Sequence, residues 1–210
     1  MAGRVRAYVG LGANVGDAPA ALAAAVRSLA ALPGTRLLGV SRLYVTRPVG
    51  VVDQPDFHNA VVALEVPRGP DPETGALALL LALKGLERAF GRRRRRRWGP
   101  RELDLDLLVF GRQRIHVGRP PGARAADPGR SGDQWLTVPH PEAAGRLFVL
   151  APLADLAPNL VPPGWPARVA TLRDARRTAE GADAARPLAS WDAAARSWAP
   201  DLAVVVIPRG

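Results

Sequence analysis

The sequence predicts an α+β sandwich, and two observations carry that expectation. Apolar runs of strand length are interleaved with two segments of helical apolar spacing. In addition, Gly111-Arg112-Gln113 follows one of those runs as a turn into a short partner, so two strands form a hairpin. Helices packed on a sheet that contains a hairpin belong to the α+β class.

The elements follow in order. Arg4 to Leu11 alternates small and apolar residues and reads as a strand. It runs into the glycine-rich turn Gly10-Leu11-Gly12-Ala13-Asn14-Val15-Gly16-Asp17, and a helix follows from about Pro19 to Leu32. Pro33-Gly34 stops that helix. Thr35 to Val45 and Ala60 to Val66 read as two strands, joined by a long loop rich in Pro, Gly and Asp. Pro72 to Phe90 is a second helix ending at Gly91, and Leu103 to Phe110 is a further strand. Gly118 to Asp133 has almost no apolar content and is expected to be a disordered insertion, with order resuming at Leu136. From about Val169 a polar Ala/Arg helix pattern precedes a last apolar run, Leu202 to Ile207. The expected organisation is one domain over 1–168 and a C-terminal extension over 169–210.

Composition narrows the function. The chain of 210 residues is 48% hydrophobic, enough for one sizeable domain with appendages. It contains no cysteine, which excludes a disulfide framework and any Cys-based metal site. Its longest apolar run, Ala76 to Leu83, is far short of the ~20 residues a membrane span needs. The first residues lack the apolar core of a signal peptide, so a soluble cytoplasmic protein is expected. The net charge of +10 invites a nucleic-acid partner. Only Lys84 among the 29 basic residues is a lysine, however, and the Ala, Gly and Pro content is the companion of arginine in GC-rich coding. The charge is therefore poor evidence about partners.

The chemistry concentrates in GRRRRRRWGPRELDLDLL, residues 91–108. On a strand, Asp104 and Asp106 share a face at roughly 6.6 Å separation, while Leu103, Leu105 and Leu107 point the other way. Aspartate is depleted in strands, so two in successive outward positions call for more than solvation. Mg2+ takes one or two carboxylates together with substrate phosphates, which makes this pair a candidate magnesium site. The preceding arginines bind phosphate bidentately and stay charged. Six adjacent like charges disfavour a packed helix and suggest a loop that orders over an anionic ligand. Nucleic acid is the rival ligand, although only Trp98 offers a stacking surface nearby. The Gly-x-x-x-x-Gly-Lys-Ser/Thr phosphate loop is missing, and the glycines of the first turn do not have the dinucleotide spacing.

Arg97-Trp98-Gly99-Pro100-Arg101-x-x-Asp104-Leu105-Asp106-Leu107-Leu108 resembles the signature of the 6-hydroxymethyl-7,8-dihydropterin pyrophosphokinase family of folate biosynthesis. The Gly10 to Asp17 turn is similar to that family's first turn, with Ala13 where serine is usual. Asp53-Gln54-Pro55-Asp56-Phe57-His58-Asn59-Ala60 resembles its pterin-loop segment. Val138-Pro139-His140-Pro141, followed by Arg146-Leu147-Phe148-Val149-Leu150-x-Pro152-Leu153, resembles its closing motif. These motifs occur in the family's order over about Val5 to Val161.

The resemblance implies a ferredoxin-like antiparallel sheet with helices packed on it. It also implies transfer of pyrophosphate from ATP to the pterin hydroxymethyl group, with AMP released. Residue by residue, it implies that Asp104 and Asp106 bind two Mg2+ ions and that Arg92 and Arg101 act on the transferring group. Glu87, Arg94, Arg97, Trp98, Arg101, Thr137, His140 and Arg146 would contact ATP. Phe57 and Phe148 would sandwich the pterin, with Asn59 at its polar edge and Thr46 and Val49 approaching through backbone groups. Phe57 is taken to lie in the loop, which favours stacking over a core role. Asn59 offers donor and acceptor together, as a pterin amide edge requires. His58 and His116 read as bystanders, and Glu87 could equally pair with a neighbouring arginine on the helix surface. The unbroken arginine run, Arg47, Trp135 and the Gly118 to Asp133 insertion depart from the family pattern. A rival reading keeps the fold as a degenerate homologue and gives the Arg92–Arg97 loop to nucleic acid or another polyphosphate. A third keeps the magnesium but changes the acceptor.

Overall fold

A computed structural model describes residues 3–48, 53–91, 99–119 and 134–200. Val49, Arg92, Arg94, Arg97, Trp98, the greater part of the Gly118 to Asp133 insertion and the run from Leu202 to Ile207 lie outside the described residues.

Two long strands form the middle of the main sheet. β1 (Arg4–Ala13) pairs antiparallel with β4 (Phe57–Pro67) from Arg4↔Pro67 to Ala13↔His58. On its other side β1 pairs with β5 (Asp104–Phe110). β2 (Arg36–Val40) and β3 (Leu43–Thr46) lie one after the other along the free side of β4. The sheet then continues through β8 (Ala185–Asp192) to β9 (Ser197–Pro200), giving the order β5-β1-β4-β3-β8-β9. A separate two-stranded sheet joins β6 (Ile115–Gly118) to β7 (Gln134–Val138).

Alternation along the strands sets two apolar layers. Ala7, Val9, Leu11, Val62, Leu105 and Leu107 face α1 (Ala18–Ala30) and α2 (Pro72–Ala89). Tyr8, Val61 and Leu108 face α3 (Leu147–Leu156) and α4 (Val169–Glu180). Both long helices start at aspartate caps. The Asp17 carboxylate accepts from the Ala20 N–H at 3.1 Å, and the Asp71 carboxylate accepts from the Thr74 N–H at 2.8 Å. That bond, with a second from the Thr74 hydroxyl at 2.8 Å, holds the Asp71 carboxyl below its usual range. None of the helices among the described residues is long and apolar enough to cross a membrane.

The antiparallel α+β class stands, and four local expectations are corrected. The strand expected over Thr35 to Val45 is two strands, because Ser41 interrupts it. Its hydroxyl accepts from the Val61 N–H at 2.9 Å while its own N–H donates to the Val61 carbonyl at 2.9 Å, so one residue takes both bonds. Phe57 is not in the loop but is the first residue of β4, with Asn59 two residues further along the strand. β5 makes no hairpin with β6; it pairs with β1, and β6 pairs with β7. Past Val169, after the expected helix, β8 and β9 extend the main sheet. Their polar, weakly alternating sequence hides them, since only Ala185 and Ala189 of β8 are buried.

Two tryptophans fasten that hairpin. Trp191 and Trp198 meet edge to face at 4.8 Å between centroids, and the Trp198 indole N–H donates to the Ser41 carbonyl at 3.0 Å. Trp198→Phe keeps the ring but loses this bond. It is expected to cost about 1 kcal/mol in urea unfolding.

β3 is also tied to α3. Asp155 accepts from Arg42 at 2.7 Å and from the Tyr44 hydroxyl at 3.0 Å. Burial, reinforced by the Asp155 charge, pushes the Tyr44 phenol well above its ordinary range, so it remains a donor.

Candidate active site

The α3 side of the sheet carries the candidate residues because of strand register. Gly12 stands opposite Asp104 on β5 and opposite Asn59 on β4, and Gly10 stands opposite Asp106 and Val61. Residues directly opposite share a face, so Asp104, Gly12 and Asn59 form a row across three strands. Asp106, Asn59, Asp104, Gly12 and Phe148 line one cleft, with Phe148 reaching over it from the first turn of α3. The glycines form its floor. A Cβ on Gly12 would come within 3.3 Å of the Asn59 side-chain oxygen.

Each side chain is held by local chemistry. Leu103, Leu105 and Leu107 are at most 3% exposed, so β5 is anchored through its leucine face and presents both aspartates on the other. Arg101 forms an ion pair with Asp104. Asn59 is buried and donates its amide to the Thr46 hydroxyl at 2.8 Å. Its oxygen is thereby directed to the Gly12 side as an acceptor. Phe57 lies on the same face at the start of β4 and is half-buried, but it is not among the residues lining the cleft.

Glu87 differs from the helix-surface setting expected of it, being only 2% exposed. Its carboxylate accepts from the Leu105 N–H at 2.8 Å and from the Lys84 ammonium at 2.6 Å, against the back of β5.

The sequence reading overlooked Asn14. This buried residue sits in the glycine-rich turn and joins three segments. Its side-chain oxygen accepts from the Arg101 N–H at 2.7 Å, and its amide donates to the Gln54 side chain at 3.1 Å and the Pro55 carbonyl at 2.9 Å. Its own N–H donates to the Arg101 carbonyl at 2.9 Å. A lone Asn in a glycine turn reads as a turn former, and its partners, some 40 and 87 residues away, leave no local trace. Asn14→Ala removes the partner of the Arg101 N–H and of the Pro55 carbonyl at once, and is expected to cost about 1–3 kcal/mol of stability in urea unfolding.

The family model described as 7,8-dihydro-6-hydroxymethylpterin-pyrophosphokinase (HPPK) matches residues 8–158. The chain belongs to the HPPK family. The 2-amino-4-hydroxy-6-hydroxymethyldihydropteridine pyrophosphokinase of Pseudomonas aeruginosa is 43% identical over 155 residues, covering 74% of this chain and 82% of the relative. That of Methylorubrum extorquens is 43% identical over 156 residues, covering 74% and 85%. The crystal structure of wild-type Plasmodium falciparum HPPK-DHPS aligns with a TM-score of 0.69 at 14% identity, over 94% of this chain. The alignment takes in 50% of that longer chain, and the likeness bears on the fold alone. The ferredoxin-like α+β fold implied by the motifs is the fold of this HPPK-family chain. These matches support the pyrophosphokinase reading and not the nucleic-acid one.

Thr137, His140 and Arg146, which the resemblance also names, lie on β7 and on the segment between β7 and α3. Thr137 lies on β7 opposite His116 of β6. The His140 N–H donates to the Leu108 carbonyl at 2.9 Å, fixing the chain beyond β7 against β5. Arg146 pairs with Glu142, and its guanidinium lies 5.5 Å from the centroid of the Phe148 ring. His58, read as a bystander, has its pKa lowered chiefly by burial. The unfolded chain therefore takes up a proton more readily than the folded one. Its contribution is expected to lower Tm as pH falls below about 6.5, and His58→Gln should flatten that slope.

Proposed function

We propose that this chain transfers the pyrophosphoryl group of ATP to the hydroxymethyl group of 6-hydroxymethyl-7,8-dihydropterin, releasing AMP, as a step of folate biosynthesis in the cytoplasm. The observation that carries the reading is the cleft itself, in which a carboxylate pair faces a buried amide and an aromatic ring. In this reaction the hydroxymethyl oxygen bonds to the β-phosphorus, and the bond between that phosphorus and the AMP oxygen breaks. Such transfers depend on in-line placement and charge neutralisation more than on covalent catalysis.

The donor set suits magnesium. Asp104 and Asp106 are hard oxygen ligands on one face, and among the described residues no group of three or more His, Cys, Asp or Glu could form an all-protein cage. A pair of this kind matches an ion whose remaining ligands are phosphates and water. We assign both residues to two Mg2+ ions, which when bound would neutralise phosphate charge and polarise the attacked phosphorus. The chain's own groups do the rest. Asn59, steered by Thr46, accepts from the amide edge of the pterin, and Phe148 covers its ring, with Phe57 at the edge of the same face. Arg101 sits beside Asp104 where charge on the transferring group is met, and Arg92 is assigned the same task. Glu87, Arg94, Arg97, Trp98, Thr137, His140 and Arg146 are assigned to the ATP side, and Val49 to the pterin side.

Calorimetric titration with 6-hydroxymethylpterin, with and without a non-hydrolysable ATP analogue and Mg2+, tests the proposal together with a product assay. The expected result is pterin binding that tightens with the magnesium nucleotide, and AMP formed only when pterin is present. AMP or ADP formed at the same rate without pterin would replace the acceptor and overturn the assignment.

A further inference from the structure

We propose that Lys84 is a positioning residue for the carboxylate pair. With Glu87 it pins the backbone of Leu105, and through it the spacing and aim of Asp104 and Asp106. This rests on the reading of those aspartates as the metal and phosphate carboxylates.

β5 ends the sheet order, so one of its sides meets no strand of the main sheet. An edge strand presents N–H and C=O groups that need partners elsewhere. At Leu105 both come from α2. The Leu105 N–H donates to Glu87 Oε1 at 2.8 Å, and the Leu105 carbonyl accepts from Lys84 Nζ at 3.0 Å. Lys84 Nζ also donates to the same Glu87 oxygen at 2.6 Å. One ion pair, three residues apart on one helix, therefore replaces a neighbouring strand at a single residue. That residue is the one between the two aspartates. Its side chain is fully buried in the core on the α2 side. Leu105 is thus fixed by its side chain and by both backbone polar groups, and the flanking aspartates inherit that placement.

The residue type supports the assignment. Every basic residue of the chain other than Lys84 is an arginine. A lysine ammonium is a compact charge with rotatable donors, and it reaches a carboxylate and a carbonyl together where a planar guanidinium fork would not. The Glu87 side chain is 3% exposed and that of Lys84 31%, so the pair is shielded from water on the carboxylate side. Groups that orient metal ligands from behind typically change metal affinity or activity about 10–100-fold when removed.

The test compares wild type with Lys84→Met in the full chain, and with Lys84→Gln, which keeps a donor for the Leu105 carbonyl, wherever the methionine variant does not fold. Mn2+ binding is followed by electron paramagnetic resonance with a non-hydrolysable ATP analogue present, alongside kcat, the KM for pterin and Tm. The expected result is Mn2+ affinity and kcat each lowered about 10–100-fold, with the pterin KM unchanged. A merely structural role would shift Tm and leave the metal affinity of the folded variant alone, and that outcome overturns the proposal. Wild type that binds no Mn2+ would overturn the carboxylate reading and this proposal with it. A variant that binds Mn2+ like a Mn2+-binding wild type would overturn the Lys84 role alone.

Discussion

Replacing either Asp104 or Asp106 with asparagine is expected to lower kcat for AMP formation by about 10²–10³-fold. Asparagine keeps the shape and one oxygen acceptor but removes the negative charge a hard cation requires. Several kcal/mol of charge stabilisation in the transition state correspond to that range. The fold should survive, because β5 is anchored by Leu103, Leu105, Leu107 and Phe110, all of them buried, and none of that surface changes. Asp104→Asn also removes the counter-charge of Arg101. The Arg101 side chain is 29% exposed, so water takes over much of that role and Tm should move by a few degrees at most. The two variants should therefore share a kinetic defect and differ slightly in stability. An unchanged kcat in either, measured by AMP release at saturating Mg2+, would remove that residue from the metal assignment.

How far the sequence reveals this site depends on how local each signal is. The Asp104–Asp106 pair is legible because alternation in a strand is a two-residue property, and Leu103, Leu105 and Leu107 supply the contrasting face. α1 and α2 are legible because proline opens their first turns and Pro33-Gly34 and Gly91 follow their ends. Phe57 reads as a loop residue because Pro55 and Asp56 precede it, yet pairing with Thr46 draws it into β4. Ser41 breaks a strand by bonding Val61, 20 residues on, which no local window contains. The hairpin of β8 and β9 lacks strong alternation and is recruited by the side of β3 and by Trp198. Asn14 and Lys84 have the same difficulty. Each is ordinary in its own segment, and its role lies in partners that only the fold brings near.

Gly12→Val is expected to separate the site from the fold more sharply than any aspartate change. Gly12 stands near the end of β1, between Asp104 on β5 and Asn59 on β4, with ordinary strand geometry and no positive φ, so the backbone accepts a β-branched residue. Its Cβ position is 3.3 Å from the Asn59 oxygen, which must give by a few tenths of an ångström, and the two valine methyls then extend into the cleft. Asn59 can yield only by loosening its 2.8 Å bond to Thr46, the bond that fixes its aim. Misplacement of reacting groups by about 1 Å is enough to cost 10²-fold in rate. The expected outcome is kcat/KM for the pterin lowered at least about 10²-fold, with Tm within a few degrees of wild type because no core contact is removed. Mn2+ affinity in the presence of the ATP analogue should persist, since Asp104 and Asp106 keep their anchoring through β5. Wild-type kcat/KM in a folded Gly12→Val variant would show that the pterin does not use this floor, and would move it out of the cleft between Asp104 and Asn59.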